Sequence, residues 1–436
     1  METPKILDWF NSYSAKMIMV TFLALLLLIP TIWIQDIIRE RIQLKDKVER
    51  ELAALWGDSQ QLSGPVLNIP FTYQQPKDNE QGFVEYTSIA HFLPNDLQVD
   101  CEIVPEIRYR GIYKMPVYQS QIKIKGTFLP PDFAQLNLAP STIKWEDAYY
   151  TLGISDLRGV KNSLPVKINT KGCDLIPGVN DTELFSSGIT LKNEDFDFTK
   201  NQVFEADLVL NGSSQLTIEP LGKTSEVTMK STWSSPSFIG SFLPSTRDVN
   251  KAGFTANWTV THINRNFPQQ WTGRKYQNRE ANLGVELIMP VDHYQKATRS
   301  VKYAILFIAL NFIIFLFIEI RNKKRIHPFQ YALVAFALLL FYTLLTSISE
   351  QIGFNAAFAI SAVAITGLIS WYSFSILKEI KPVISITLLQ AALYLFLFTI
   401  LQLQDYALLM GSIGLFIILG LIMKASQRIN FYKTEG

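Results

Sequence analysis

The chain has 436 residues, and its 40 Lys and Arg nearly balance 38 Asp and Glu for a net charge of +2. That balance excludes the global basic field that drives nucleic-acid binding. The length exceeds one ordinary domain, and the apolar residues crowd into 17–34 and into the region after Val301, which excludes a uniformly soluble chain.

Residues 1–35 place Lys5, Trp9, Phe10, Tyr13 and Lys16 around MIMVTFLALLLLIPTIWI, a run without charge. At 1.5 Å per residue this run is about 27 Å long, close to the hydrocarbon thickness of a bilayer. Ile-Trp-Ile-Gln-Asp follows it in place of a small-x-small cleavage site. The segment therefore reads as an uncleaved signal anchor, with Lys5 and Lys16 holding its start in the cytoplasm. Residues 36–57 carry charges of both signs, with Ile38, Ile42, Val48, Leu52 and Leu55 at mostly helical spacing. They read as a helical stalk stopped at Gly57.

Periodicity changes over 58–298. VYQSQIKIKGTF, QVFEADLVL, EVTMKSTW, GFTANWTVTHI and LGVELIMP alternate apolar and polar residues between Gly, Pro, Asn and Asp clusters. This predicts a large all-β, sandwich-like domain of short antiparallel strands. GTFLP at 126–130 recurs as GSFLP at 240–244, which fits either two β-units in tandem or a chance match. Cys101 and Cys173 both fall in this domain, and whether they meet the geometry of a disulfide is open.

Residues 299–424 hold five apolar runs, about 301–320, 329–348, 354–376, 383–402 and 405–423, and 425–436 form a tail. With the first helix they make six spans. Lys and Arg fall at 321–325, 378 and 381, and in the tail at 428 and 433, with Lys424 at the end of the last run. The loops near 349–353 and 402–405 have none. The positive-inside rule then puts both termini in the cytoplasm and the β-domain, inserted between helices 1 and 2, outside. In this scheme Arg299, Lys302 and Glu350 share one membrane level, and a Lys302–Glu350 salt bridge or a shared contact of the two with the β-domain is expected there. Tyr342, Thr346 and Ser349 share a helical face, Asn311 lies mid-helix, and Glu319 sits beside Arg321 and Lys323. Polar residues at such depths face other helices or a cavity. Gly411, Gly414 and Gly420 suggest close packing of the last helix.

Several stretches resemble the CreD family of inner-membrane proteins, described as cell envelope integrity proteins. They include LSGPVLNIPF (62–71), RGIYKMPVYQSQIKIKGTF (110–128), PSFIGSFLPSTRDVNKAGFTANW (236–258), PVDHYQKATRSVKYAILFIALNF (290–312) and HPFQYALVAFALLLFYTLLTSISEQIGF (327–354). The resemblance implies a bacterial inner membrane location and an envelope role tied in some bacteria to a two-component response and to β-lactam exposure. It supplies no catalytic residue.

The residues themselves offer little chemistry. His91, His262, His293 and His327 form no HExxH pair and no zinc spacing with cysteine. Ser120-Gln121-Ile122-Lys123 has the SxxK spacing of penicillin-interacting enzymes, but in a strand those two side chains point to opposite faces. Asp156 with Arg158, Arg110, and His262 with Arg265 are polar spots for anion binding or for local turns. The expectation is thus a protein without enzymatic activity or cofactor. Its partners are the lipid bilayer and an envelope protein or other envelope component, with no nucleic acid. A transporter or lipid-handling protein using Asn311, Thr346 and Glu350 is the alternative.

Overall fold

The computed structural model describes residues 13–76, 83–161, 165–182, 184–192, 197–273, 281–289, 293–322, 326–403 and 406–427. Lys5, Trp9, the basic cluster Lys323, Lys324 and Arg325, and the tail with Arg428 and Lys433 lie outside them. Two compact units form, one from Met1–Lys45 with Val291–Gly436, the other from Asp46–Pro290.

In the helical unit, α1 (Tyr13–Leu26) and α2 (Leu28–Trp56) part at Leu27. Pro30 then falls in the first turn of α2, where its missing N–H is least costly. Thr31 Oγ1 donates to the Leu27 carbonyl at 2.8 Å. The remaining helices are α3 (His293–Lys302), α4 (Ala304–Asn322), α5 (Pro328–Ile352), α6 (Phe354–Leu377), α7 (Ile380–Gln402) and α8 (Ala407–Ser426). The run expected to start at 301 begins instead at Ala304. Tyr303 makes a tight turn, its N–H reaching the Ser300 carbonyl at 3.1 Å, and sets the amphipathic α3 apart. His327 caps α5: its Nδ1 accepts from the Phe329 N–H, and its own N–H donates to Gln330 Oε1. Pro328 at the first helical position completes this start. Among the described residues five helical stretches are long and apolar enough to cross a membrane, the first being Met17–Trp56 across α1 and α2, and the expected sixth, α8, carries a shorter apolar stretch, Leu409–Lys424.

The β unit holds eighteen named strands among the described residues. The first ten are β1 (Gln60–Pro76), β2 (Phe83–Phe92), β3 (Asp96–Arg110), β4 (Tyr113–Phe128), β5 (Tyr149–Ile154), β6 (Val160–Lys161), β7 (Val166–Ile168), β8 (Lys171–Gly172), β9 (Asp174–Pro177) and β10 (Gly188–Lys192). Then come β11 (Gln202–Ser213), β12 (Gln215–Glu219), β13 (Thr224–Ser231), β14 (Pro236–Gly240), β15 (Thr246–Asn250), β16 (Gly253–Thr261), β17 (Gln270–Thr272) and β18 (Leu283–Leu287). One sheet runs β14-β18-β12-β1-β5-β10-β9, with β2 on β1 and β17 on β2. The other runs β15-β16-β13-β3-β4-β11-β7-β8, with β6 on β11.

Two departures from a short-stranded antiparallel sandwich stand out. β1, β3 and β4 span 17, 15 and 16 residues, and β1–β12 and β3–β13 pair in parallel. The parallel pairs follow from a crossing at Ser214, a left-handed residue at φ +58° that passes the chain from β11 in one sheet to β12 in the other. β3 buries Leu97, Val99, Cys101 and Ile103 while Asp96, Gln98, Asp100 and Glu102 face solvent, the period-two signature of one covered face. The inward faces meet around Tyr118, Tyr150, Phe128, Phe204 and Trp258. Each such ring contributes about 1.5–3 kcal/mol by leaving water. Of the repeated pentapeptides, GTFLP spans the end of β4 in one sheet and GSFLP the end of β14 in the other, with different neighbouring strands. Cys101 and Cys173 are not joined by a disulfide.

Candidate functional sites

In the helical unit, α3 is tied down by its polar side chains. Tyr294 Oη donates to Glu350 Oε1 at 2.9 Å, and Arg41 lies 3.8 Å from the same oxygen. Lys296 Nζ donates to Gln402 Oε1 at 2.7 Å, Gln402 Nε2 to Asn355 Oδ1 at 2.6 Å, and Arg299 to the Leu403 carbonyl at 2.9 Å. Burial, with the charge of Arg299 nearby, holds the Lys296 ammonium below the ordinary lysine range. The expected Lys302–Glu350 salt bridge is not made. Glu350 turns to Tyr294 and Arg41, while Lys302 is exposed and makes no ion pair among the described residues. The reason is that Glu350 meets the start of α3 at Tyr294, eight residues and about 12 Å of helix away from Lys302.

Deeper in the bundle, Asn311 is fully buried and accepts from Gln390 Nε2 at 3.0 Å while donating to the Phe307 carbonyl at 2.8 Å. Glu319, also buried, accepts from Tyr331 Oη at 2.9 Å. Tyr342, Thr346 and Ser349 share a buried face of α5.

Of the three sequence-predicted spots of the β unit, two meet at the end of α2 and the third lies elsewhere. Arg110 pairs with Glu51 at 3.0 Å. Arg158 clasps Asp156 through two bonds of 2.9 Å and donates its third group to the Ala54 carbonyl at 2.9 Å, so it caps the end of α2. Arg158, backbone N–H groups of Asp58 and Arg158, and the arginine's charge hold the Asp156 carboxyl below the usual carboxylate range. Arg110 and Arg158 thus both hold the last turns of α2. Arg265 is elsewhere: buried, it donates to the Leu221 carbonyl at 3.0 Å and to Gln269, and lies over the Phe267 ring at 4.5 Å. Burial lowers its guanidinium to about 10. The half-buried His262 opens a short 3-10 turn nearby in sequence. Ser120 is buried and Lys123 exposed on β4, so the SxxK pair does face opposite ways.

Sequence reasoning missed one network. His91 on β2 stands opposite Asn68 on β1 in register, and its Nδ1 lies 2.7 Å from Asn68 Oδ1. Asn68 spends its amide hydrogens on Thr151 Oγ1 and the Val66 carbonyl, so its oxygen accepts and His91 Nδ1 donates. His91 Nε2 then faces Asp181 at 3.7 Å, and Trp271 lies against the ring. Burial lowers the imidazole to about 4 even though Asp181 pulls upward. The signal in the sequence was a lone histidine in an otherwise strand-like run. Among the described residues no group of His, Cys, Asp and Glu is placed to hold a metal.

Outside the core, a groove of about 470 Å³ crosses the exposed face of β3, β4, β11 and β7. Asp100, Lys123, Lys125, Lys167, Glu205 and Asp207 line it. Lys125 pairs with Glu205 at 3.1 Å, whereas Lys123, Lys167 and Asp207 make no ion pair among the described residues. The groove therefore offers charges of both signs to a ligand.

The family model described as "Inner membrane protein CreD" matches residues 12–432. Inner membrane protein CreD of Escherichia coli (strain K12) is 32% identical over 414 residues, covering 94% of this chain and 91% of that protein.

Proposed function

Since the chain belongs to the CreD family of inner membrane proteins, we propose that it is a membrane-anchored, non-enzymatic binding protein that supports the cell envelope. Its apolar helices associate with the lipid bilayer, and the β unit binds an envelope component in the periplasm. Six spans, counting α8, leave both termini in the cytoplasm and the β unit between the first and second spans. The Lys and Arg distribution supports this orientation. Arg299, Lys302 and Glu350 sit at the periplasmic level, and Asn311 and Glu319 serve helix packing. Arg110, Asp156 and Arg158 fix the end of α2, and His262 and Arg265 shape a corner of the β unit.

The groove across β3, β4, β11 and β7 carries this reading. Its interleaved lysines and carboxylates suit a partner with both charges, such as a peptide or a protein loop, and electrostatic complementarity of this kind selects partners. Photo-crosslinking in cells from the exposed Gln98 at the groove should capture a peptide-containing envelope component, and Lys123→Glu with Lys167→Glu should abolish the adduct. Recovery of lipid alone would count against it.

A further inference from the structure

The interior of the helical unit carries a polar seam that no helix-packing role fully uses. It begins at Glu350 and descends α5 through Ser349, Thr346 and Tyr342, all buried. At 1.5 Å per residue, Tyr342 lies about 12 Å along the axis from Glu350. There Phe341 links Tyr342 to Tyr394 of α7, which lies one turn from Gln390, the partner of Asn311 of α4. The Tyr394 ring packs on Phe307 and Phe341, both at 4.7 Å, and Phe341 packs on Tyr342 at 5.0 Å. Asn311 and Gln390 close the seam with their 3.0 Å bond.

Three atoms here have no hydrogen-bond partner among the described residues: Tyr342 Oη, Tyr394 Oη and Gln390 Oε1. Their residues are 0%, 3% and 0% exposed. In a bilayer no bulk solvent can satisfy such atoms, so each carries a desolvation cost unless a small molecule meets it. Above them, the Thr346 and Ser349 hydroxyls donate to carbonyls of their own turn, which leaves their oxygens able to accept. Beyond the Asn311–Gln390 pair the chemistry changes. Phe312 and Phe315 of α4 and Ala335 and Leu338 of α5 are buried and apolar. On α4 and α5 the next polar contact, Tyr331 to Glu319, lies about 16 Å farther along α5 at the helical rise, while on α7 Thr387, three residues from Gln390, bonds Ser370 of α6 at 2.6 Å.

We propose that this seam binds water, forming a hydrated half-path that enters at Glu350 and ends at Asn311 and Gln390, where the facing sides of α4 and α5 turn apolar. The path reaches mid-helix and stops, so it admits water-sized donors and acceptors without joining the two ends of the bundle.

Radiolytic hydroxyl-radical footprinting of the full chain in detergent tests this, because buried water generates radicals in place. After correction for intrinsic reactivity, Tyr342 and Tyr394 should be oxidised severalfold more than Phe312 and Phe315. Thermal unfolding of the same sample gives a second reading by its sign. Tyr342→Phe and Tyr394→Phe remove a hydroxyl without changing shape, so each should lower Tm if that hydroxyl holds water. Oxidation of the two tyrosines no greater than of the two phenylalanines, or a rise in Tm for both variants, overturns the proposal.

Discussion

His91 shows how a single side chain ties a sheet to its chemistry. Its imidazole is depressed to about 4 from 6.5 by burial between β1, β2 and Trp271. Between those values the unfolded chain binds the proton and the folded one does not, so stability rises with pH across that window. The contribution is complete above about pH 6.5 and is lost as pH falls toward 4, with a slope of at most about 1.4 kcal/mol per pH unit. His91→Gln should flatten the unfolding midpoint of the β unit against pH over this range, as read by near-ultraviolet circular dichroism. An unchanged slope would show that protonation of other groups sets it. A lone histidine in a strand-like run was the one hint of this network in the sequence. Asn68 lies 23 residues from His91, and Asp181 comes from a different loop, so only the β1–β2 register and the folding of the β9–β10 segment bring them together.

At the level of elements, the helices and strands whose burial follows one period were legible, and the joints between them were not. β3 and β4 alternate cleanly because only one face of each is covered. The parallel pairing of β1 with β12 was invisible, since it depends on the crossing at Ser214 and not on any local pattern. The apolar runs after residue 301 were evident from composition, but the break at Tyr303 was not, because no proline or glycine marks it. The joint between α5 and α6 is a sharper case. Gly353 alone connects them, at φ +82° and ψ 162°, a region open essentially to glycine. A Cβ there would meet nothing within 4 Å, so the cost of Gly353→Ala is purely conformational. It should destabilise the bundle by about 1–3 kcal/mol, seen as a lower thermal midpoint of the full chain in detergent. A neutral result would mean that the α5–α6 turn relaxes freely.

For the whole molecule, the sequence carried the family and the division between a strand-rich region and apolar helices, since both rest on long stretches of residues. The groove on β3, β4, β11 and β7 was beyond it, because Asp100, Lys123, Glu205 and Lys167 come from four strands that only the sheet order aligns. The proposed orientation makes a direct prediction. A reporter active only in the periplasm should work when inserted beside Gly353 and fail when inserted at 322–326; the opposite pattern would invert the topology.

The last turns of α2 set where the β unit can be cut from the membrane. Trp56 donates to the Tyr118 carbonyl at 3.3 Å and lies under Arg108, while Ala53 covers Met115 and Val117. A secreted fragment begun at Asp46 brings that cover with it. One begun at Ser59 strips it away, opens Met115 and Val117 to water, and leaves Arg158 without the helix end it caps. The β unit therefore starts inside a helix, about three turns before its first strand.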